Sequence, residues 1–566
     1  MPKDHPFNLA YDNFVNVFGE EGNLLIIAIK DSSIFEKNNF NSWIKLSESF
    51  EDIKEVNNVI HVGNIPIISK DKQNKRFAID SIINKNFKTN SSVEKFKKTI
   101  FSRLPFYENI LFNSNTQTIQ TAIYLEKNVV NNVERIDFVN NVFVPLIENF
   151  ENETNLDVKV SGMPYIRTMN AQNIMDEIGK FVIIAILVTI FIFFFFFRSY
   201  RATLITLIVV VTGVMWALGI LGLLEFEITV LTALIPPLII VIGVPNCIFL
   251  INKYQHEVKK HGNQARSLQR VISKIGNATL MTNITTACGF ATFILTDSKI
   301  LKEFGTVASI NIMVIYVLSI LLIPIIYSFL PLPEKKHLNH LSNNWLNIFV
   351  GFLSNTVKNH RIPVFIISII CLCVSIVGIN KIEISGNLIE DMPKKSSFVK
   401  DIKFFEKEFK GILPLEIMID SRRKNGMLRL SNIKRMNDFH EHILRIPELS
   451  SPISIVNLSK YIKQSFYNGN SNYFQLPSPQ ENTFISTYVR NSDLKLGEEN
   501  SYINDNGQIA RITTMIGEID TEIMEGVEES LLKGIEIYFP SEKFDVTLTG
   551  KTLGYLKGTK FLIKNL

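Results

Sequence analysis

Six stretches of the sequence are apolar over roughly the 20 residues that a helix needs to cross the hydrocarbon of a bilayer. They are approximately 179–198, 202–223, 228–251, 277–296, 305–330 and 362–380. Hydrocarbon offers no hydrogen-bond partners, so segments of this kind satisfy their backbone groups internally as helices. The sequence therefore predicts a polytopic α-helical membrane protein. The six spans constrain on which side of the membrane each loop and each polar region can lie.

The charged residues at the ends of these stretches predict one orientation. Lysine and arginine are concentrated in three connecting loops, 198–201, 252–276 and 331–361. The loop after the second span contains Glu225 and Glu227 and no cation. Because positive residues are retained on the cytoplasmic side, we expect the three basic loops there, with 252–276 forming a surface helix. The polar regions 1–175 and 382–566 are then expected across the membrane.

Composition gives little support to other classes of function. The net charge of +5 over 566 residues does not favour a nucleic-acid partner. The four cysteines lie in apolar stretches, where a small buried residue is the expected role rather than a metal ligand or a disulfide; they are Cys247, Cys288, Cys371 and Cys373. His440, Glu441 and His442 could bind a metal, but residues i and i+2 of a helix do not share a face, so we expect solvated surface.

No phosphate-binding glycine loop and no nucleophile–base arrangement occurs in the sequence. We therefore predict neither an enzyme nor a cofactor.

The two polar regions are copies of one unit. Residues 1–31 align with 392–420, and each copy contains Met-Pro-Lys, an amphipathic helix, a closing glycine and an apolar strand. The alignment places Phe7, Phe14 and Phe18 on Phe398, Phe405 and Phe409. At the far ends, Asp157 and Gly162 align with Asp545 and Gly550. The offset is about 390 residues at both ends, which favours duplication over chance.

Each copy is predicted to be a small α/β domain. In the first copy we expect strands near 23–30, 57–61, 119–126 and 157–161, and helices near 37–53 and 133–152. This order predicts βαβ units of ferredoxin-like type, with helices packed on sheets. The second copy is expected to repeat it.

The repeat implies a plan of one span, one α/β domain and five spans, taken twice. The predicted parts are a first α/β domain (1–175), a five-helix bundle (176–332), a cytoplasmic linker (333–361), a span that opens the second repeat (362–380) and a second α/β domain (382–566). Against that plan we expect the chain to be truncated at both ends.

Several segments resemble the RND (resistance–nodulation–division) transporter superfamily, in particular its MMPL-like branch. The stretch LTALIPPLIIVIGV at 231–244 is similar to the fourth span of that family, and residues 277–305 are similar to its fifth span and the following loop. SGMPYIRTMNAQNIMDEIGKF at 161–181 resembles the passage from a porter domain into a span. The resemblance covers essentially the whole chain.

The resemblance implies an inner-membrane protein with two periplasmic porter domains that exports hydrophobic or amphipathic molecules. It implies energy from proton entry through charged groups on the fourth and tenth spans, and a possible homo-oligomer. We expect the partners to be the lipid bilayer and a hydrophobic small-molecule substrate.

One stretch departs from the family pattern. After the Gly-Val of the fourth span, MMPL-like relatives have an Asp-Tyr pair whose aspartate carries protons. Here Gly243 and Val244 precede Pro245 and Asn246, neither of which titrates. Two readings stay open: a lost or purely structural site, or a neutral site in which Asn246 orients water or binds a cation.

Other polar residues in the spans are candidates for a polar seam beside Asn246: Thr282, Asn283, Thr285, Thr286 and Asn311. Hydrogen bonding between helices is the alternative role for them. Pro236 and Pro237, with Gly243, are candidates for a helix joint, either flexible or fixed.

The leading hypothesis is a secondary transporter that exports lipid-like or other hydrophobic substrates, with no proton carrier at the family position in this half. The alternatives are a non-transporting, sterol-sensing-like binding or scaffold protein, and a non-functional fragment.

Overall fold

The computed structural model describes residues 5–19, 22–81, 87–130, 132, 134–197, 199–226, 228–296, 298–332, 344–379, 381, 396–411, 413–492, 502–517 and 519–564. The chain forms two compact units. Met1–Asn170 and Ser385–Ile563 form one, which we call the α/β unit. Ala171–Ile384, with Lys564–Leu566, form the other, which we call the membrane unit. Both repeats of the polar sequence therefore belong to the same unit.

The first half of the α/β unit is an antiparallel sheet covered by helices. Its elements are α1 (Pro6–Phe18), β1 (Leu24–Ile29), α2 (Lys37–Ser49), β2 (Val56–Ile60), β3 (Pro66–Asp71), β4 (Arg76–Ser81), α3 (Asn90–Arg103), β5 (Phe112–Asn113), β6 (Thr118–Leu125), α4 (Lys127–Val130), α5 (Glu134–Phe138), α6 (Val144–Thr154) and β7 (Lys159–Ser161). The strand order is β2-β6-β1-β7, with β5 paired to β6. Because β6 lies between β1 and β2, this is the split βαβ arrangement that the sequence predicted.

The second half repeats this topology. Its elements are α15 (Ser397–Phe409), β8 (Leu413–Asp420), α16 (Leu430–Ile443), β9 (Ile453–Ser454), α17 (Ile455–Phe466), α18 (Pro479–Arg490), β10 (Ile509–Ile516), α19 (Thr521–Tyr538), β11 (Asp545–Thr549) and α20 (Lys551–Lys564). The order β9-β10-β8-β11 matches β2-β6-β1-β7 strand for strand. Gly162 and Gly550 follow the last strands of the two halves with φ of +119° and +112°, which only glycine adopts easily. The two halves therefore have the same strand order; the Met-Pro-Lys of each copy lies outside the described residues.

The opening helices of the two halves are exchanged. Phe14 and Phe18 of α1 pack against Met418 of β8 in the second half. Phe405 and Phe409 of α15 pack against Ala28 of β1 in the first half. Each half therefore supplies a helix to the sheet of the other, an arrangement that the alignment of the copies did not predict.

Two buried carboxylates of α15 reinforce this exchange. Glu408 Oε1 lies 2.5 Å from Lys30 Nζ, and Asp401 Oδ1 lies 3.3 Å from Lys159 Nζ. Burial raises the pKa of Asp401, although the charge of Lys159 opposes the shift. Burial alone would also raise the pKa of Glu408, but hydrogen bonds from Lys30 and Thr116 hold it below its ordinary value. The apolar contact is thus flanked by charges paired between the halves.

Within the described residues, the membrane unit contains six helices long and apolar enough to span a bilayer, as predicted. Its helices are α7 (Met163–Phe197), α8 (Tyr200–Leu223), α9 (Val230–Ala233), α10 (Ile235–His261), α11 (Gln264–Ala291), α12 (Lys299–Phe329), α13 (Asn344–Asn359) and α14 (Arg361–Ile379). The spans correspond to α7, α8, α9 with α10, α11 with the turn after it, α12 and α14.

The connection between α10 and α11 differs from the prediction. Instead of a separate surface helix over 252–276, both spans continue beyond their apolar parts and meet at Gly262. Gly262 has φ of +62° and ends α10, and the Asn263 side chain accepts the Arg266 N–H to begin α11. The basic stretch is therefore a helical hairpin built on two spans.

The predicted linker 333–361 also differs from expectation. Residues 333–343 lie outside the described part, but Asn344–Asn359 form the helix α13. Its sequence alternates apolar and polar residues with a helical period, which explains why a helix forms where a loop was expected.

Candidate functional site

The third span is divided into α9 and α10, and two prolines lie at the start of α10. Ala233 ends α9, and Pro236 and Pro237 then occupy the first turn of α10. The first turn is where a missing N–H costs least, because those donors have no intrahelical partner. The two prolines therefore begin a new helical segment, and Leu238 N donates to Leu234 O across the junction at 3.1 Å.

Pro245 and Asn246 point in different directions. Pro245 is exposed on the outer side of α10, as is Val241, whose carbonyl loses its helical donor. Asn246 is buried on the inner side. α10 continues through both residues to His261, so the proline does not end the helix.

Asn246 forms a reciprocal amide pair with Asn283 of α11. Asn246 Nδ2 donates to Asn283 Oδ1 at 3.1 Å, and Asn283 Nδ2 donates to Asn246 Oδ1 at 3.1 Å. Asn283 Nδ2 also donates to Thr279 O of its own helix. Both amides are buried, so each carbonyl and at least one donor of each is satisfied without solvent. Of the predicted seam, Asn283 is the residue that contacts Asn246.

The other seam residues have different surroundings. The hydroxyls of Thr282, Thr285 and Thr286 donate to carbonyls of their own helix, and all three residues are exposed. Asn311 of α12 is buried and donates to Val307 O, while its Oδ1 has no hydrogen-bond partner within the described residues. No hydrogen bond joins Asn311 to the amide pair in the described part of the chain.

Gly243 lies one turn before Asn246, at a close contact of three helices. A Cβ on Gly243 would lie 3.0 Å from Ile315 Cγ1 of α12. A Cβ on Gly213 of α8 would lie 2.3 Å from Ile315 Cδ1. Gly243 is therefore a packing position where small residues let helices approach, and nothing in this contact marks it as a hinge.

Charged groups lie at the ends of these helices. Glu257 of α10 is buried, with Arg270 Nη1 at 3.1 Å, Lys253 Nζ at 3.3 Å and His261 Nε2 at 3.7 Å. This ion cluster ties α10 to α11, and the sequence analysis missed it although Lys253, Glu257 and His261 have i,i+4 spacing. Between Ile228 and Ile251 the sequence has no Asp, Glu, Lys, Arg or His.

The amide pair, the glycine contact and the ion cluster make α8, α10, α11 and α12 one packed group. A comparison with curated protein sequences finds no match. The sequence model of the MMPL family matches residues 39–346, more than half of the chain. The chain belongs to the MMPL family. It is therefore a multi-pass, transporter-like membrane protein, and the match includes Asn246 and Asn283.

This MMPL protein also has an apolar groove on its membrane unit. The groove has a volume of about 780 Å³ and lies among α8, α11 and α12. Trp216, Cys288 and Met313 are among its lining residues. The single lining hydroxyl, Ser309 Oγ, is bonded to Ala287 O and Gly305 O, so it is not free to orient a polar ligand. The groove can hold a hydrocarbon group without leaving a polar atom unsatisfied.

In the α/β unit, the structure corrects the interpretation of the His440 triplet. His440 is buried rather than solvated, and its Nε2 lies 3.0 Å from Ser454 Oγ. Burial, with a smaller effect of Lys460, lowers the pKa of His440 to about 3. Ser454 caps α17 by accepting the Val456 N–H and is itself fully buried. This serine–histidine contact is part of the core and leaves no room for a substrate.

Proposed function

We propose that this MMPL protein is a secondary transporter that exports lipid-like or other hydrophobic substrates from the inner membrane, with the α/β unit in the periplasm. Family membership supports transport, and the basic loops of the sequence support the orientation. The apolar groove supports the substrate class, because its lining favours hydrocarbon over polar or charged ligands.

We further propose that α10 does not carry protons. The observation that carries this proposal is the reciprocal amide pair of Asn246 and Asn283. Amides do not titrate, and a proton relay requires a group that binds and releases a proton within the membrane. The pair also engages both amide carbonyls, which disfavours the alternative in which Asn246 binds a cation.

A non-transporting binding protein is the second candidate, and the same amide pair favours it. A bundle with no Asp, Glu, Lys, Arg or His between Ile228 and Ile251 can still bind a lipid-like ligand in the groove. The two candidates differ in one measurable property, which is vectorial movement of the ligand across or out of the bilayer.

The experiment uses the full-length protein in vesicles that contain a fluorescent fatty-acyl substrate, with and without an imposed proton gradient. The test variant is Cys288→Trp, which fills the groove. The matched control is Met281→Trp, two turns away on α11 at an exposed position outside the groove. We expect Cys288→Trp to reduce both binding and export at least several-fold and Met281→Trp to leave both near the wild-type values.

Each outcome decides one part of the proposal. If the protein binds the substrate without exporting it, the proposal of a transporter is wrong and the non-transporting binding protein takes its place. Equal effects of the two tryptophan variants would remove the groove as the substrate site. Export that collapses with an uncoupler, while Asn246→Ala has no effect on that coupling, would show that protons enter elsewhere and that α10 need not carry them.

A further inference from the structure

Two aromatic rings of the α/β unit form a corner that holds an ammonium group. Phe466, the last residue of α17, and Tyr488 of α18 lie edge to face, with ring centroids 5.4 Å apart and ring planes at 89°. Lys70 of β3 places its Nζ 3.4 Å from the Phe466 centroid and 5.1 Å from the Tyr488 centroid. The faces of aromatic rings attract cations at such distances, so the corner recognises positive charge.

The two rings hold this arrangement through contacts that do not involve Lys70. They contact each other directly, and the helices that carry them are joined by an ion pair between Lys463 Nζ of α17 and Glu481 Oε2 of α18 at 3.0 Å. Phe466, Tyr488 and Lys70 are all partly exposed. The corner therefore keeps its shape when the lysine leaves it, and a small molecule in solution can reach it.

Lys70 is a poor match for this corner. Its ammonium is a compact, strongly hydrated charge with three N–H donors. Within the described residues, however, that ammonium has no hydrogen-bond acceptor and no ion pair. Burial lowers the pKa of Lys70, and the positive charge of Lys72 adds to that effect. The rings therefore attract the charge of Lys70 without replacing the water that its donors lose.

Two other lysines lie over aromatic rings and are better paired. Lys97 Nζ lies 4.1 Å from the Phe35 centroid and also donates to Gln117 Oε1 at 2.8 Å. Lys557 Nζ lies over another phenylalanine ring and donates to a glutamate carboxylate at 2.7 Å. Each of these ammonium groups has an oxygen partner. What distinguishes Lys70 is that the described part of its surroundings offers the ammonium rings alone.

The ligand that suits a corner of rings alone is a quaternary ammonium. Such an ion has no N–H donor and spreads its charge over methyl groups, so it loses little by leaving water and needs no acceptor. Two rings that meet at an angle can contact several of these methyl groups at once, and aromatic cages of this kind are how proteins recognise choline-type ions. The corner therefore fits a choline-type cation better than it fits its own lysine.

We propose that the corner of Phe466 and Tyr488 is a binding site for the quaternary ammonium of choline-type molecules, and that Lys70 occupies it as an internal competitor. Binding displaces the flexible Lys70 side chain into water, where its three donors are hydrated. Lipid head groups and small soluble cations both carry the ligand group, and its contact with the rings is the same in either case. This proposal does not depend on whether the protein transports.

The test measures the Kd of choline for the full chain in maltoside micelles, which contain no choline groups, by saturation-transfer NMR of the ligand methyl protons. Lys70→Ala is expected to lower the Kd several-fold, because the ligand no longer has to displace the lysine. Phe466→Leu or Tyr488→Leu, each added to Lys70→Ala, should raise the Kd at least several-fold, because a leucine has no ring face to attract the cation.

Two controls separate charge recognition from shape and from general effects of losing a lysine. The neutral analogue of choline, in which carbon replaces nitrogen, has the same shape and should bind Lys70→Ala several-fold more weakly than choline does. Lys97→Ala removes a comparable contact between a lysine and a ring and should leave the Kd of choline at the wild-type value. Each variant is first required to match the wild-type elution volume, which excludes misfolding.

The outcomes decide both the site and the source of its ligand. Absence of choline binding to Lys70→Ala, an unchanged Kd in that variant, or equal binding of choline and its neutral analogue would each overturn the proposal. The Kd of choline is then compared with that of dihexanoyl phosphatidylcholine below its micelle concentration. Tighter binding of the lipid supports the site as one for a lipid head group, and tighter binding of choline supports it as one for a soluble cation.

Discussion

At the scale of single residues, Asn246 and Asn283 show how a polar pair can be accommodated among apolar helices. An amide has both donors and an acceptor, so two facing amides complete each other in a way that two aspartates could not. The pair remains neutral at every pH, and it fastens α10 to α11 at the depth where the resemblance places a proton carrier. Its effect is on helix packing rather than on charge.

The strength of the pair can be measured with a double-mutant cycle. Asn246→Ala and Asn283→Ala are each expected to destabilise the membrane unit by about 1–2 kcal/mol, because the remaining amide is left unpaired. The destabilisation of the double variant should be smaller than the sum of the two single effects by about 0.5–1.7 kcal/mol. The free energies are measured by unfolding in bicelles. Thr285→Ala, at an exposed position, serves as the control, and strictly additive effects would contradict the pairing.

His440 predicts a pH dependence of the α/β unit. Its pKa is about 3 in the folded protein and 6.5 in the unfolded chain, so the unfolded chain takes up a proton that the folded protein does not. His440 therefore leaves the free energy of unfolding of the α/β unit unchanged above pH 6.5. Below pH 6.5 its effect lowers that free energy by up to about 1.4 kcal/mol for each pH unit. His440→Gln, which retains a donor toward Ser454, should reduce this slope.

The measurement is amide-exchange protection of α16 at pH 7 and pH 5, corrected for intrinsic exchange. His360→Gln is the matched control, because His360 is exposed and lies outside the α/β unit. An unchanged slope in His440→Gln would show that His440 is protonated in the folded protein.

At the scale of helices, Ile315 fits between two glycines. The same side chain contacts Gly213 of α8 and Gly243 of α10, so it cannot move away from one without approaching the other. In a bilayer, helix association depends on close packing of this kind because apolar surface gains little from leaving lipid. The contact therefore fixes α8, α10 and α12 together.

A methyl group at Gly213 tests this contact. Gly213→Ala is expected to destabilise the membrane unit by about 1–3 kcal/mol through overpacking. Gly219→Ala, on the same helix with open space around it, should be neutral or slightly stabilising. Ile315→Val removes the clashing Cδ1 and should partly rescue Gly213→Ala. Thermal unfolding in detergent compares the four proteins, and equal effects at the two glycines would contradict the packing.

Helical periodicity determines how much of the site could be predicted. The buried positions of α11 near the pair are Gly276, Thr279, Asn283 and Ala287, spaced by three or four residues. Applied to the seam, this spacing places Asn283 on the buried face and rejects Thr285, but it does not reject Thr282 or Thr286, which follow Thr279 and Asn283 by three residues. The reciprocal geometry could not be predicted, because it depends on how α11 is rotated against α10. The surroundings of His440 depend on long-range packing in the same way.

At the scale of the molecule, the duplication predicted the sheet of each half but not which helix covers it. Equivalent helices fit equivalent sheets. The repeat in the sequence is therefore equally compatible with an opening helix that packs on the sheet of its own half and with one that packs on the sheet of the other half. The choice depends on long-range contacts such as Lys30 with Glu408, which are separated by most of the chain. The exchange makes each half of the α/β unit incomplete without the other.

Because each half depends on the other, a substitution in one half is expected to raise hydrogen exchange in the sheet of the other half. Phe405 lies in the second half of the sequence and is 1% exposed, but it packs on Ala28 of the first. Phe405→Ala is expected to cost about 3 kcal/mol or more and to raise hydrogen exchange in β1 and β6 more than in β8 and β10. Phe484→Ala, at an exposed position of the same half, should leave both sheets unchanged. If hydrogen exchange rose first in β8 and β10, α15 would be covering the sheet of its own half. The two halves would then not swap their opening helices in solution.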